Sequence, residues 1–135
     1  MPAETAIRAL LMQSSTITTL VGDRCHPVEV PIGMDLPALA TRHISTVDAG
    51  TVDAAAPYSL QSSRIEVRAV AQSYPAVQQL LAAIKAACQY QRGTVAGTNL
   101  VSILRDITGP AIKEPGEIRY EQTVDFIVTW RGANN

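Results

Sequence analysis

The sequence predicts an α+β fold, in which two main helices pack on one face of a mostly antiparallel four-stranded sheet. Two segments carry apolar residues at helical spacing, and two others alternate apolar with polar residues as half-buried strands do. Long strands with one charged face need helices only on the other face, which gives a layered sandwich. We expect all 135 residues to form one domain, because half of this length would bury too small a core.

The N-terminal segment is predicted to be helical from Ala3 to Ser14. Thr16 is placed to cap a short second helix, which ends at Gly22. A Pro-rich arm follows from Cys25 to Pro37, because prolines at this density are incompatible with a helix. The apolar stripe of the first helix consists of Ala3, Ala6, Ile7, Leu10 and Leu11.

A strand and a loop are predicted next, over Ala38–Val47 and Asp48–Pro57, the loop being rich in small and polar residues. The following strand, Ser63–Val70, has the clearest alternation. One of its faces is apolar and suits the core, and the other is charged. The apolar face consists of Ile65, Val67 and Ala69, and the charged face of Arg64, Glu66 and Arg68.

The strongest helical pattern runs from Tyr74 to Tyr90, with Ser73 placed to cap it. A turn is expected at Gly93–Gly97, and a strand over Asn99–Ile107 with Val101, Ile103 and Ile107 pointing one way. The helix stripe consists of Val77, Leu80, Leu81, Ile84 and Cys88.

The C-terminal part is predicted to hold a loop over Thr108–Glu117 and a last strand over Thr123–Arg131. Residues 132–135 are expected to be a frayed tail. The apolar face of the last strand consists of Val124, Phe126, Val128 and Trp130.

Charge and composition exclude several classes of protein. The formal net charge is −1 and no run of Lys or Arg occurs, so tight binding of nucleic acid through phosphates is not expected. No stretch is long and apolar enough to cross a membrane, and the N-terminus lacks a signal-peptide pattern, so we expect cytoplasmic synthesis. Cys25 and Cys88 form no CxxC or Cys/His cluster and are expected to be free thiols.

Catalytic and metal-binding patterns are also missing from the sequence. His26 and His43 stand alone, without a second ligand at metal spacing, and no serine lies in a nucleophile motif. Asp48 and Asp53 share one loop, where a cation site is conceivable, but the dense acidic spacing of a calcium loop is lacking. We therefore predict no enzyme activity, no metal and no cofactor.

The charged face of Arg64, Glu66 and Arg68 has two interpretations. Mixed charges on a strand can form cross-strand ion pairs beneath solvent. The same charges can instead pair with a neighbouring subunit and fix its register. The sequence leaves both interpretations open.

Several segments together resemble a family of small bacteriophage proteins called tail completion or tail terminator proteins. They are the helix at 6–12, the Gly-Asp-Arg ending at Gly22–Arg24, the extended Cys25–Pro27 and the Leu36–Ala38 entry into a strand. Four more are Arg42–Ser45, Arg64–Ala71, the Ala- and Leu-rich helix that opens at Tyr74, and Asp125–Trp130. The resemblance covers nearly the whole chain and implies no catalytic residues.

What the resemblance implies is a structural virion protein. Such a protein forms a ring, usually a hexamer, on the head-proximal end of the tail tube. The ring stops tube polymerisation and offers its other face to neck or head-completion proteins. The partners implied are further copies of the chain, the major tail tube protein and a neck protein. Genomic DNA passes through the lumen without sequence-specific binding, no membrane is involved, and assembly takes place in the host cytoplasm.

Candidate subunit contacts are the polar segments that a core does not explain. Two alternatives stay open, namely a neck or head-closure protein of the same assembly and, from a different class, a small ligand-binding or enzymatic domain. The Pro-rich arm and the two long loops are candidate contact segments. The candidate interface residues are Arg42, Asp48, Asp53, Arg64, Glu66, Arg68, Lys113 and Glu114.

Overall fold

The computed structural model describes residues 2–31, 33, 35–48, 58–113, 116 and 118–133. Its elements in chain order are α1 (Pro2–Gln13), α2 (Ser15–Val21), β1 (Cys25–Pro27), β2 (Ala38–Asp48), β3 (Tyr58–Ala71), α3 (Tyr74–Cys88), β4 (Gly93–Val95), β5 (Thr98–Thr108), β6 (Ile112–Lys113) and β7 (Tyr120–Ala133). The strands form one sheet in the order β1-β2-β3-β7-β5-β4, with β6 also paired to β7. Only the β1–β2 pair is parallel among these pairs, so the sheet is mixed and the predicted α+β class is confirmed.

The described residues form a sheet of seven strands, so the prediction of four was too small. The three additional strands are short and lie in segments that were predicted to be arm, turn and loop. β1 pairs with β2, β4 pairs with β5, and β6 pairs with β7. A strand of two or three residues shows no alternation, so periodicity cannot detect it, and only its long neighbour defines it.

β3 and β7 are longer than their apolar patterns. They pair along their full lengths, from Tyr58 opposite Ala133 to Ala71 opposite Tyr120. β7 therefore reaches two residues into the tail that was expected to be frayed. Backbone pairing to a long partner extends a strand through polar sequence, where no apolar alternation marks it.

The main core lies between the helices and one face of the sheet. The predicted stripes of α1 and α3 are buried there, together with Ile17 and Val21 of α2. The predicted apolar faces of β3 and β7 meet them, and Phe126 is the largest fully buried side chain. All three helices therefore cover the same face of the sheet, namely the two main helices that were predicted and the short second helix predicted after Ser14.

Serine side chains cap two helices. Ser73 Oγ accepts a hydrogen bond from Ala76 N at 3.3 Å, as predicted for α3. For α2 the cap is Ser14 rather than Thr16, with Ser14 Oγ accepting from Ile17 N at 3.4 Å. Ser14 has the extended backbone of an N-cap, because α1 ends at the residue before it. α2 ends at Gly22, whose φ of +63° suits glycine.

β5 does not present the apolar face that was predicted. Ile103 is buried together with Leu100, whereas Val101 and Ile107 are 36% and 55% exposed. The pairing register of β5 with β7 shifts between Leu100 and Ser102, and again between Arg105 and Thr108. Each irregularity changes the face to which later side chains point, so a strict period of two fails here.

The Pro-rich segment folds back on the sheet instead of extending away from it. Val28 N donates to Thr41 O at 2.8 Å, continuing the contact that β1 makes with β2. Val30 is 1% exposed and packs with Leu36, Ala38, Ala40 and Val70 in a second, smaller core. The peptide bond between residues 36 and 37 is cis. Part of the arm is thus bound to the sheet of its own chain.

Within the described residues, no helix is both long and apolar enough to span a membrane.

The predicted loop at Asp48–Pro57 begins inside β2, since Asp48 is the last residue of that strand. Its remainder, residues 49–57, lies outside the described residues.

Candidate functional site

The sheet face opposite the helices carries a continuous chain of ion pairs. Arg42 on β2 contacts Glu66 on β3 at 3.1 Å, and Glu66 contacts Arg68 at 3.4 Å. Arg68 reaches across to Glu121 on β7 at 3.0 Å, and Glu121 contacts Arg119 at 2.8 Å. We call these five residues the long network. It spans three strands because alternate residues of each strand point to this face.

Arg119 joins the long network to the arm. Its guanidinium is buried, with Nη2 donating to Val30 O at 2.5 Å and Nη1 donating to Pro31 O at 3.4 Å. Arg119 and Glu121 are 7% and 6% exposed. A buried pair with these additional hydrogen bonds is well satisfied, so the arm is held to β7 by geometry as well as by charge.

A second cluster surrounds Arg64 and is called the short network. Arg64 contacts Asp106 on β5 at 2.6 Å and Asp125 on β7 at 3.1 Å. Hydrogen bonds to Asp106 and then to Asp125 raise the pKa of Arg64 above its ordinary value. Arg64 on β3 thus links its own strand to β7 and β5, the next two strands of the sheet.

The two networks carry opposite net charges. The long network has three arginines against two glutamates, and the short network has one arginine against two aspartates. Together they are neutral. Arg42 and Asp106 have the most exposed side chains in these pairs, at 43% and 39%. The most exposed charge of the positive long network therefore lies on β2, and the most exposed charge of the negative short network lies on β5.

The pocket beside the long network is small. Its volume is about 140 Å³, and its lining includes Glu66, Arg68, Ile112 and Glu121. Sites for small molecules usually measure roughly 300–1,000 Å³. The charged groups around it are paired with one another, so the arrangement favours a structural role for this face.

The structure places four of the predicted interface residues on this face, whereas Asp48 lies at the end of β2 on the helix-side face. Arg42, Glu66 and Arg68 meet in the long network, and Arg64 lies in the short one. Asp48 ends β2, where its Cα partner is Gln61. Lys113 lies on β6 opposite Tyr120, and its neighbour Ile112 pairs with Glu121 of the long network. Asp53 and Glu114 lie outside the described residues.

Four residues of the networks were absent from the predicted site. Glu121 and Asp125 share a face of β7 at even spacing, a signal that was available in the sequence. Arg119 precedes the strand and Asp106 follows a bulge, so alternation does not place them. The sequence predicts polar faces, but it does not identify which charges meet.

His43 belongs to a chain of polar side chains. His43 Nε2 lies 2.6 Å from Thr46 Oγ1, which is 2.9 Å from Ser63 Oγ, and Trp130 Nε1 donates to that Ser63 Oγ at 3.0 Å. This polar chain closes one end of the helix-side core. In the part of the chain that the structure describes, no three His, Cys, Asp or Glu side chains are grouped to hold a metal ion.

The cysteines are free, as predicted, and both are buried. Burial raises the pKa of Cys88 to about 12. Burial also raises the pKa of Cys25, although Arg8 acts in the opposite direction. Neither thiol is therefore an activated nucleophile at neutral pH.

Comparison with known proteins gives one family and one fold. Residues 5–128 match the family model described as tail completion protein gp17. No curated protein matches the sequence. Seventeen chains of solved structures match the fold. One of them, from the virion of a native gene transfer agent (GTA) particle, is 16% identical with a TM-score of 0.65, over 94% of this chain and 92% of that one.

Proposed function

Because the chain belongs to the family of tail completion protein gp17, we propose that it forms a ring on the head-proximal end of a phage tail tube. The match over residues 5–128 carries this proposal, since it takes in almost every element of the fold. The chain is a structural tail protein and not an enzyme. Ring formation, a sixfold subunit number and the end of the tube are the parts that we propose.

The proposed ring stops tube growth by presenting a surface on which the major tail protein cannot add. Its other side receives a neck or head-completion protein, and the genome passes through its hole. Closed rings of identical subunits use head-to-tail contacts between two different surfaces of each subunit. A small domain with a rigid sheet suits this role, because subunit geometry sets the curvature of the ring.

The paired charges of the sheet support passage of DNA. The four arginines of the two networks are matched by four carboxylates, so they offer no net positive patch to phosphates. A lumen that gripped the genome would delay its transfer. We also propose that eight charged residues contribute to subunit contacts in this ring. They are Arg42, Asp48, Asp53, Arg64, Glu66, Arg68, Lys113 and Glu114.

The test is tube polymerisation with purified major tail protein, followed by negative-stain electron microscopy. Adding this protein should stop elongation at one tube end, narrow the length distribution and leave a ring at that end. The variant Arg8→Asp, changed on an exposed position of α1, should do the same.

Tubes that elongate unchanged, with no ring at either end, would refute the proposal. A ring that binds only isolated portal vertices, and never tubes, would instead support the neck protein alternative. Imaging of the complete particle separates the two outcomes by the height of the ring along the tail axis.

A further inference from the structure

Two stretches of the sheet edge are open in the described residues. β1 covers only Leu39 to Thr41 of β2, which leaves Arg42–Asp48 without a neighbouring strand on that side. At the other edge, β4 covers Thr98–Leu100 of β5, and Tyr90 N donates to Ile103 O. The stretch Leu104–Thr108 is then open. Unpaired backbone groups on such edges favour addition of another strand.

Both open stretches carry apolar side chains that are about half exposed in the described chain. Ile44 and Val47 are 42% and 64% exposed on the β2 edge, and Leu104 is 50% exposed on the β5 edge. Soluble proteins usually protect edges with charges, bulges or proline. Bulges are present here, but aliphatic groups accompany them, which is the pattern of an edge with a specific partner. An open groove of about 370 Å³, lined by Val101 and Leu104, lies beside β5.

The open stretches lie at the same height of the sheet. Arg42 is level with Glu66 and, through it, with Asp125. Asp106 lies at that same level, between the β5 residues that face Phe126 and Val124. The two edges can therefore meet without a shift along the strands.

The levels of the apolar residues also correspond. Leu104 faces Ile127, which is level with Ser45, the neighbour of Ile44. Val47 is level with Thr129, which faces Ser102, the neighbour of Val101. At equal height, Ile44 thus meets Leu104, while Val47 is level with Val101, which lies outside the open stretch and beside the segment that starts at Tyr90.

Strand direction fits the same contact. β2, β3, β7 and β5 are successively antiparallel, so β2 and β5 run in opposite directions. A copy rotated about an axis along the strands keeps its direction. Its β2 would consequently lie antiparallel to β5 of the first copy, as in an ordinary sheet.

We propose that neighbouring copies of this chain join edge to edge, with the open half of β5 on one copy paired to the open half of β2 on the next. Arg42 of one copy then meets Asp106 of its neighbour, which brings the positive end of the long network against the negative end of the short network. The inference rests on the proposed ring and names the surface that closes it. Because the two edges differ, the contact is head-to-tail and can repeat around a circle.

The test uses charge reversal, with Arg42→Asp and Asp106→Arg made separately. Each variant alone places like charges at every contact, so its association constant should fall about tenfold or more by sedimentation velocity. An equal mixture of the two variants places opposite charges at every contact between unlike copies, so the mixture should assemble. Arg8→Asp and Asp23→Arg are charge-reversal controls on exposed positions outside both open stretches and should assemble alone.

Disulfide trapping tests the contact without changing charge. Ile44 and Leu104 of one chain lie on strands three spacings apart, or roughly 14 Å, which is too far for a disulfide. The double variant Ile44→Cys/Leu104→Cys should therefore form covalent chains of increasing length on oxidation, up to a closed ring. Either single variant should stop at dimers. The native thiols are buried.

The outcomes separate the inference from the proposed function. If rings form on tubes but the cysteine pair does not cross-link and the mixture gains nothing over the single variants, the edge contact is wrong while the ring stands. If no ring forms under any condition, with or without tubes, the proposed function is wrong. If a charge variant does not fold, as seen by circular dichroism, the cysteine pair alone decides the inference.

Discussion

At the scale of single residues, burial controls the chemistry of the two thiols. Cys88 belongs to the apolar stripe of α3, and Cys25 opens β1 beside the same core. Desolvation favours the neutral thiol over the thiolate. These cysteines therefore behave as small apolar side chains in the folded state and as ordinary thiols in the unfolded state.

We predict that alkaline pH destabilises the fold partly through Cys88. An ordinary pKa near 9 in the unfolded chain becomes about 12 in the folded one. Below pH 9 the thiol is protonated in both states and contributes no pH dependence. Between pH 9 and 12 only the unfolded chain loses the proton, so stability should fall by about 1.4 kcal/mol per pH unit from this group. Urea unfolding across this range measures the slope.

The variant Cys88→Ala is the control for that slope. It should lose some packing energy at every pH but show a shallower alkaline decline than the wild type. Equal slopes for the two proteins would contradict the assignment. Ellman's reagent at pH 8 should label neither thiol in the folded protein and both in guanidinium chloride.

Single residues also show where sequence patterns stop being informative. The pattern correctly placed Ile65, Val67 and Ala69 in the core, because β3 pairs regularly through that stretch. It misplaced Val101 and Ile107, because a bulge inverts the faces of β5. A bulge depends on the pairing partner, which the local sequence does not contain.

At the scale of elements, part of the arm between β1 and β2 packs on the sheet face opposite the helices. Val30 fills the second core, and Arg119 holds the backbone carbonyls of Val30 and Pro31. The Pro-rich composition predicted an extended segment. Its attachment could not be predicted, because Arg119 lies 89 residues away from Val30 along the chain.

We predict that Arg119→Ala destabilises the protein by about 3–5 kcal/mol. Removing the guanidinium breaks a buried ion pair, leaves the carbonyl groups of Val30 and Pro31 without this donor, and leaves Glu121 with Arg68 as its remaining ion-pair partner in the long network. Urea unfolding measures the loss. Arg92→Ala, at an exposed arginine before β4, should change stability by less than about 0.5 kcal/mol.

The same element offers an independent measurement. Hydrogen exchange of the amides of residues 28–30 should accelerate strongly in Arg119→Ala, while α3 should keep its protection relative to global stability. Uniform acceleration of exchange over the whole chain, or no acceleration in the arm, would show that Arg119 does not specifically hold the arm on the sheet.

At the scale of the whole molecule, the layers and the charged face of β3 were predictable, and the partners of those charges on other strands were not. Helical stripes and one charged strand face specify a sandwich, because each pattern must bury its apolar side. The networks depend on contacts between distant strands, such as Arg64 with Asp125, 61 residues apart. Sequence periodicity reports the face to which a side chain points, and says nothing about its neighbour on the next strand.

We predict that the thermal midpoint of the wild type rises with protein concentration, whereas that of Arg42→Asp does not. Association of folded subunits stabilises the folded state by mass action, and the effect grows with concentration. Differential scanning fluorimetry over a concentration series measures it. Arg8→Asp should follow the wild type. A concentration-independent midpoint in the wild type would show that purified subunits do not associate without the tube.

The neutral pairing of the two networks has a consequence for anything that moves past this face. Charges that alternate over a few ångströms produce fields that cancel within a short distance, well inside the roughly 10 Å over which salt screens a single charge. A passing polyanion therefore meets an electrostatic potential close to zero at this face. The face also binds few counterions that the polyanion would have to displace. If such faces line a channel, the resistance to DNA movement comes from the friction of water and from the channel diameter. Changes in salt concentration then leave the rate of DNA passage nearly unaltered.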